Sequence, residues 1–497
     1  MKREFLGIPV WLLVGIGLLF IYHLFTLTIS PMPWFDETYF ASMTLNFVEK
    51  GEFLPPIGPM LEFFYPQSKA YGPAYFVVMA GVLKVFGFGI LQMRIPALLF
   101  GFLFILTVYK ILTISNIKQS LRIFVVLLLL FDPIFLQNIH SGRMDSMAIL
   151  LVVLGIYQLL VGFRKNLFIH FAACGFFFGL ALLTTPRIAV NLAGPGLIAA
   201  FFYLSNPNWK RFFSLLIIPL LVFGLYSIWV FWGFGGYEQA YNYFFGKPKE
   251  ALYFQSLAAI YVSSRKYIPP FQYPVLFVFG VFLSINVYFR RNTEWIFWIS
   301  IFNLLSFYSL VNDTGIYSIF SMPWIYIGLA CIAQSFFSME RIESIMRIAL
   351  SCVFLLNLSL FFLKNTVIWL YAGSRNISIV QQQISKNLPK GSRVIGDEAY
   401  YYFILNSGSD FQYLDRGAAT HQRINYHENI YKYQYIIVRN PPMNQFAFDH
   451  YTKVLAPHEI AKIKMPVPSD FAQSLGRILT KLKIEIPKGY EGTIYKR

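Results

Sequence analysis

The chain has 497 residues, of which 57% are hydrophobic, 19% aromatic and 13% charged. A soluble domain carries about a quarter charged residues. Composition therefore excludes a soluble globular enzyme and a disordered protein, and predicts a polytopic helical membrane protein. The net charge of +17 reads as basic residues flanking spans on the cytoplasmic side, not as a nucleic-acid surface.

Apolar runs predict spans near 7–29, 90–112, 121–138, 146–163, 167–185, 188–204, 212–232, 272–289, 294–311, 320–338 and 347–371. These runs are unbroken over roughly 18–25 residues, whereas barrel strands alternate over about 10. Basic clusters at Lys2/Arg3, Lys110/Lys118/Arg122, Arg164/Lys165, Lys210/Arg211, Arg290/Arg291 and Arg341/Arg347 fall in every second loop if eleven segments cross. The N-terminus is then cytoplasmic and the C-terminus outside. That parity requires Gly72–Phe88, which opens with Gly-Pro and carries Lys84, to lie in or dip into the outer interface. A crossing there would make twelve.

The expected domains are a membrane domain, 1–373, with outer loops 30–89 and 233–271, and a soluble extracytoplasmic domain, 374–497. Strand-like pieces at Ser392–Ile395 and Tyr433–Val438 make the second a small α/β or α+β unit. Cys174, Cys331 and Cys352 sit in apolar runs and form neither a disulfide framework nor a metal site.

Three groups of residues could carry chemistry. Asp36 and Glu37 follow the first span within Pro33-Trp-Phe-Asp-Glu-Thr-Tyr39. Desolvation and mutual repulsion would suit one of them to act as a general base. Alternatively, Asp36 caps a helix that begins at Glu37. Arg143-Met-Asp145, near His140, lies in a very short outer loop, where an ionisable group tends to be functional. A cap or an Arg143–Asp145 pair is the simpler reading. Arg94, Arg187, Lys69, Lys84 and Arg265 are basic on the outer side, where the charge rule does not ask for them. They could hold a phosphate or snorkel to headgroups. No P-loop, dinucleotide glycine pattern, zinc spacing or Gly-x-Ser-x-Gly elbow is present. An outer site without nucleotide chemistry must receive an activated group on a lipid carrier.

The order of these motifs carries a resemblance. An Asp-Glu pair is followed by Tyr71-Gly-Pro-x-Tyr75, Lys84-Val-Phe-Gly87 and Arg94-Ile-Pro-Ala-Leu-Leu-Phe-Gly101. Arg143-x-Asp145 and Gly179-Leu-Ala-Leu-Leu-Thr-Thr-Pro-Arg187 come next. Together they resemble the GT-C glycosyltransferases of the protein mannosyltransferase and aminoarabinose transferase superfamily, best over 30–205. The resemblance implies a GT-C fold, a polyprenyl- or dolichyl-phosphate sugar donor and inverting transfer on the outer face. By position, Asp36 would be the base, Glu37 would place the acceptor and Asp145 would be the second acid. Arg94 would contact the donor phosphate, with Lys69 a further phosphate ligand. Relatives often have His-Pro-Pro or Lys-Pro-Pro where Tyr71-Gly72-Pro73 stands. They also often have Lys or Arg before the tyrosine of a late outer loop, where Gly315-Ile316 precede Tyr317.

The expectation is a multi-pass glycosyltransferase in the inner membrane of a prokaryote. Its acceptor would be a lipid, glycan or protein, and it would use no cofactor; some distant GT-C enzymes require a divalent metal, which the spacing of the acids here does not support. A lipid-substrate flippase and a non-catalytic scaffold are the rivals.

Overall fold

The computed structural model describes residues 4–5, 7–53, 71–205, 207–239, 273–288, 294–310, 317–336, 340–414, 432–442, 445–481 and 489–497. After a short β-hairpin (β1, Glu4–Phe5; β2, Ile8–Pro9), helix stands in each expected apolar segment. The elements are α1 (Val10–Thr26), α2 (Phe35–Lys50), α3 (Pro73–Phe86), α4 (Ile90–Ile114), α5 (Gln119–Phe131), α6 (Pro133–Ile139) and α7 (Asp145–Lys165). They continue with α8 (Phe168–Leu182), α9 (Ala193–Ser205), α10 (Trp209–Trp229), α11 (Tyr273–Tyr288), α12 (Trp295–Leu310), α13 (Met322–Phe336) and α14 (Glu340–Leu370). Short 3-10 turns lead into α9 and α13, at Pro186–Asn191 and Ser318–Phe320.

Among the described residues, six of these segments are each long and apolar enough to cross a membrane, and the bent pair α5–α6 makes a seventh. The expected count of eleven leans on the shorter apolar helices α1, α8, α11 and α12. Helix α3 is short as well, and leaves Val85 and Phe86 exposed beside Lys84.

The third expected span is not straight. It bends by 65° between α5 and α6, at Asp132-Pro133. Proline suits the first position of a helix, where its missing N–H is not needed. Asp132 Oδ1 caps that helix, accepting from the Ile134 and Phe135 amides at 2.9 and 2.8 Å. Its Oδ2 accepts from the Tyr326 hydroxyl at 2.6 Å, and Asn357 donates to the same hydroxyl. This buried acid is therefore fully used in ending one helix and starting the next.

Beyond α14 lies a mixed five-stranded sheet in the order β4-β3-β5-β7-β6. The strands are β3 (Arg393–Gly396), β4 (Asp410–Tyr413), β5 (Tyr435–Arg439), β6 (His458–Ile463) and β7 (Gly492–Lys496). β3 pairs parallel with β4 and β5, while β7 pairs antiparallel with β5 and β6. Helices α15 (Ile377–Asn387), α16 (Tyr401–Asn406), α17 (Gln445–Leu455) and α18 (Asp470–Lys481) complete this α/β unit. The two expected strands are β3 and β5, both interior and apolar, as a strand covered on both faces must be.

The sheet unit packs on the start of α2 and on the turn between α3 and α4. Phe35 packs on Tyr413 with ring centres 4.9 Å apart, and Phe88 stacks on Tyr402 at 5.4 Å.

Candidate active site

Helix α2 begins at Phe35 with Trp34 at the cap and no side-chain cap bond. Asp36 is thus inside the first turn, not capping it. Helix α7 likewise begins at Asp145 with Met144 at the cap, so neither acid is an N-cap.

Successive residues on a helix point about 100° apart, and Asp36 and Glu37 separate accordingly. Glu37 turns inward and meets Arg94 in a bidentate pair, with Nε–Oε1 2.6 Å and Nη2–Oε2 2.7 Å. Both side chains are 0% exposed. Asp36 turns outward, and its Oδ2 accepts from Arg143 Nη1 at 2.6 Å. The same guanidinium reaches Asp145 Oδ2 through Nε at 2.5 Å. Asp36 is 28% exposed and Asp145 only 3%. The expected repulsion between neighbouring carboxylates is therefore replaced by two separate arginine pairs, and Asp36 is the acid that faces open space.

Arg143 is buried, which by itself lowers the pKa of a guanidinium. Asp145 and Asp36 outweigh burial and hold it above its ordinary value. Its charge also lies over the Trp34 ring at 4.8 Å and the Tyr317 ring at 5.5 Å.

Arg187 completes the cluster from the turn before α9. It is exposed and donates to the Tyr71 hydroxyl at 2.9 Å. It lies over Tyr317 at 4.6 Å and over Tyr71 at 5.6 Å. Burial raises the Tyr317 hydroxyl to about 12, against a lowering influence of Arg187. Tyr317 is thus neutral at physiological pH and can donate a hydrogen bond. The basic partner that Gly315-Ile316 do not supply comes from Arg187, 130 residues earlier in sequence.

Tyr71 reaches this cluster because α3 docks on the Arg187 turn. The Ala74 amide donates to the Leu183 carbonyl at 3.1 Å. A Cβ at Gly72 would overlap that same carbonyl, so only glycine allows the approach. Tyr75, one turn on, donates to the Gly142 carbonyl at 2.8 Å and ties α3 to the Arg143 loop.

Arg94 is corrected by this geometry. Besides Glu37, its Nη1 donates to the Leu27 and Pro31 carbonyls, at 2.5 and 2.8 Å. Four donors are spent inside the protein and the side chain is fully enclosed. It clamps the linker that carries Asp36 and does not face a donor phosphate. Glu37, enclosed with it, does not face an acceptor. The linker is gripped elsewhere too. His140 Nδ1 lies 3.2 Å from the Ser30 carbonyl, Arg375 Nε donates to the Ile29 carbonyl at 2.6 Å, and Arg439 Nη1 meets the Met32 thioether. Sequence reasoning missed Arg375 and Arg439. The signal available was a lone arginine just after the last span, at Gly373-Ser-Arg375.

Lys69 and Arg265 lie outside the described residues. Among the described residues, no three His, Cys, Asp or Glu side chains converge as a metal site would need. Cys174 and Cys331 are buried, while Cys352 is exposed on α14, where an enclosed residue was expected.

Residues 69–232 match the family described as dolichyl-phosphate-mannose-protein mannosyltransferase. The whole fold is similar to ArnT from Cupriavidus metallidurans bound to undecaprenyl phosphate, with TM-score 0.60, 12% identity, and 98% of this chain and 97% of that chain covered. The chain has the GT-C glycosyltransferase fold. Together with the family match, this makes it a membrane glycosyltransferase. Other GT-C folds align over the same 98% of the chain. The arabinofuranosyltransferase AftD from Mycobacteria gives TM-score 0.52 at 13% identity over 40% of its length. The Archaeoglobus fulgidus oligosaccharyltransferase, solved with zinc and sulfate, gives 0.50 at 10% over 88% of its length. No curated protein matches in sequence.

Proposed function

We propose that this GT-C protein moves a sugar from a polyprenyl-phosphate carrier to an acceptor hydroxyl or amine, with inversion, on the extracytoplasmic face of a prokaryotic inner membrane. The observation that carries the reading is the Asp36–Arg143–Asp145 bridge, in which one of the two acids, Asp36, is partly exposed. Arg143 occupies Asp36 Oδ2 and fixes the carboxylate, leaving Oδ1 for the acceptor proton. Acceptor oxygen or nitrogen attacks the anomeric carbon as its proton passes to Asp36. The bond from that carbon to the phosphate oxygen breaks, and its electron pair leaves with the phosphate. A phosphate monoester needs no strong acid to depart.

Arg187, exposed and stacked between Tyr71 and Tyr317, takes the donor phosphate in this scheme. A planar permanent cation suits that group. The solved ArnT bound to undecaprenyl phosphate supports a carrier of this class. The parity of basic loops supports the orientation.

The test is transfer of label from polyprenyl-phosphate sugars to a panel of acceptors by purified protein. Arg187→Ala is expected to raise the donor KM at least about tenfold, the equivalent of about 1.4 kcal/mol, with acceptor KM little changed. An unchanged donor KM would remove Arg187 from the scheme. No transfer with any donor would remove the scheme itself.

A further inference from the structure

The unit 374–497 reads from sequence as water-soluble, yet one of its helices lies beside a membrane span. Helix α18 buries Ala472 and Leu479 and packs Leu475 in a cluster with Leu356, Leu360, Leu363 and Val367 of α14. Those α14 residues belong to the apolar stretch Ile342–Leu370. At about 1.5 Å per residue, 356–367 covers roughly 16 Å, about half of a hydrocarbon core of ~30 Å. The cluster reaches Tyr371, just past the exposed Trp369, an aromatic type favoured at a membrane interface.

The contact therefore uses the half of that apolar stretch nearest the sheet unit. What α18 leaves uncovered beside it is the surface in question. The helix leaves Phe471 64% and Ile478 49% exposed. The two are seven residues apart and share one side of the helix. On α14 too, large apolar residues such as Leu355 and Phe362 are exposed. The opposite side of α18 carries Gln473, Arg477 and Thr480, with Lys481 at the end. An apolar face flanked by cations on long stems is the pattern of an interfacial helix.

We infer that α18 is inserted in the outer part of the leaflet nearest the sheet unit, with Phe471 and Ile478 among acyl chains and Arg477 and Lys481 at lipid phosphates. The sheet unit is then seated in the bilayer beside α14 while Arg375 and Arg439 grip the Asp36 linker. The same unit would then be seated in the membrane and hold the linker.

Site-directed spin labelling tests this in protein reconstituted into phosphatidylethanolamine–phosphatidylglycerol vesicles. Exposed Cys352 is first replaced by Ser, while the buried Cys174 and Cys331 remain. A nitroxide at Ile478→Cys is expected to collide more with dissolved oxygen than with a water-soluble nickel chelate. A nitroxide at Gln473→Cys should show the reverse. If Ile478→Cys fails to insert, Phe471→Cys on the same side gives the same reading. Preferential nickel collision at 471 or 478 would overturn the inference. So would poor access to both reagents, which would place a second protein surface over the helix. Neither result would touch the proposed glycosyl transfer, which does not depend on α18.

Discussion

Arg94 shows how one side chain changes meaning between sequence and structure. As a cation at the start of an outer-facing span it suggests a phosphate contact. Enclosed, with Glu37 and two linker carbonyls on its donors, it is a clamp. Removing one partner of a buried ion pair leaves an uncompensated charge and costs about 3–5 kcal/mol. Arg94→Lys keeps the charge but cannot make the fork. It is expected to lower thermal stability and expression while leaving the donor KM of the folded fraction within about twofold, the scale of ordinary indirect effects. A selective rise in donor KM at wild-type stability would restore the phosphate reading. Glu398 makes a second case at this scale. It is fully buried, and no side chain hydrogen-bonds its carboxylate. Burial, aided by Asp397, raises it from 4.5 to about 7. A carboxyl that binds its proton more tightly when folded stabilises most below its unfolded value. That stability is lost as pH rises from about 4.5 through about 7. Glu398→Gln should therefore flatten the fall in Tm across this window and be more stable than wild type at pH 8. Parallel melting curves for the two proteins would contradict this.

At the scale of elements, the sequence is most legible where the signal is local. Each apolar run is a helix, and the interior strands β3 and β5 stand where apolar pieces were read. Arg143-x-Asp145 is a real pair because two residues at a helix start cannot be far apart. Partnerships across the fold were not legible. Nothing local says that Glu37 turns to Arg94 while Asp36 turns to Arg143, or that Arg187 reaches Tyr317. The bend at Asp132-Pro133 was legible in principle, since an acid before proline is a helix-start signature, but it is hidden inside an apolar run. Gly72 is the element-scale device with the sharpest consequence. Gly72→Ala must push α3 away from the Leu183 carbonyl and carry Tyr71 off Arg187. We expect a stable protein with donor KM raised more than acceptor KM, measured in the same labelled-transfer assay. Unchanged kinetics would mean that the α3 contact does not set the site.

For the whole molecule, the account rests on one division of labour. The loop before α7, the start of α7 and the turn before α9 supply Arg143, Asp145 and Arg187. The first turn of α2, just after the α1–α2 linker, supplies Asp36. The sheet unit holds that linker through Arg375 and Arg439, so in the proposed scheme it helps to position Asp36. The most direct test is the turnover of Asp36→Asn. Asn keeps the size and the hydrogen bond to Arg143 but cannot take a proton. General-base assistance is typically worth about 10²–10⁴ in rate. Because Asp36 is not a helix cap and is partly exposed, little loss of stability is expected. The account predicts an Asp36→Asn protein that inserts normally, binds the lipid donor with wild-type affinity and loses at least about a hundredfold in turnover. Near wild-type turnover in that variant would contradict it.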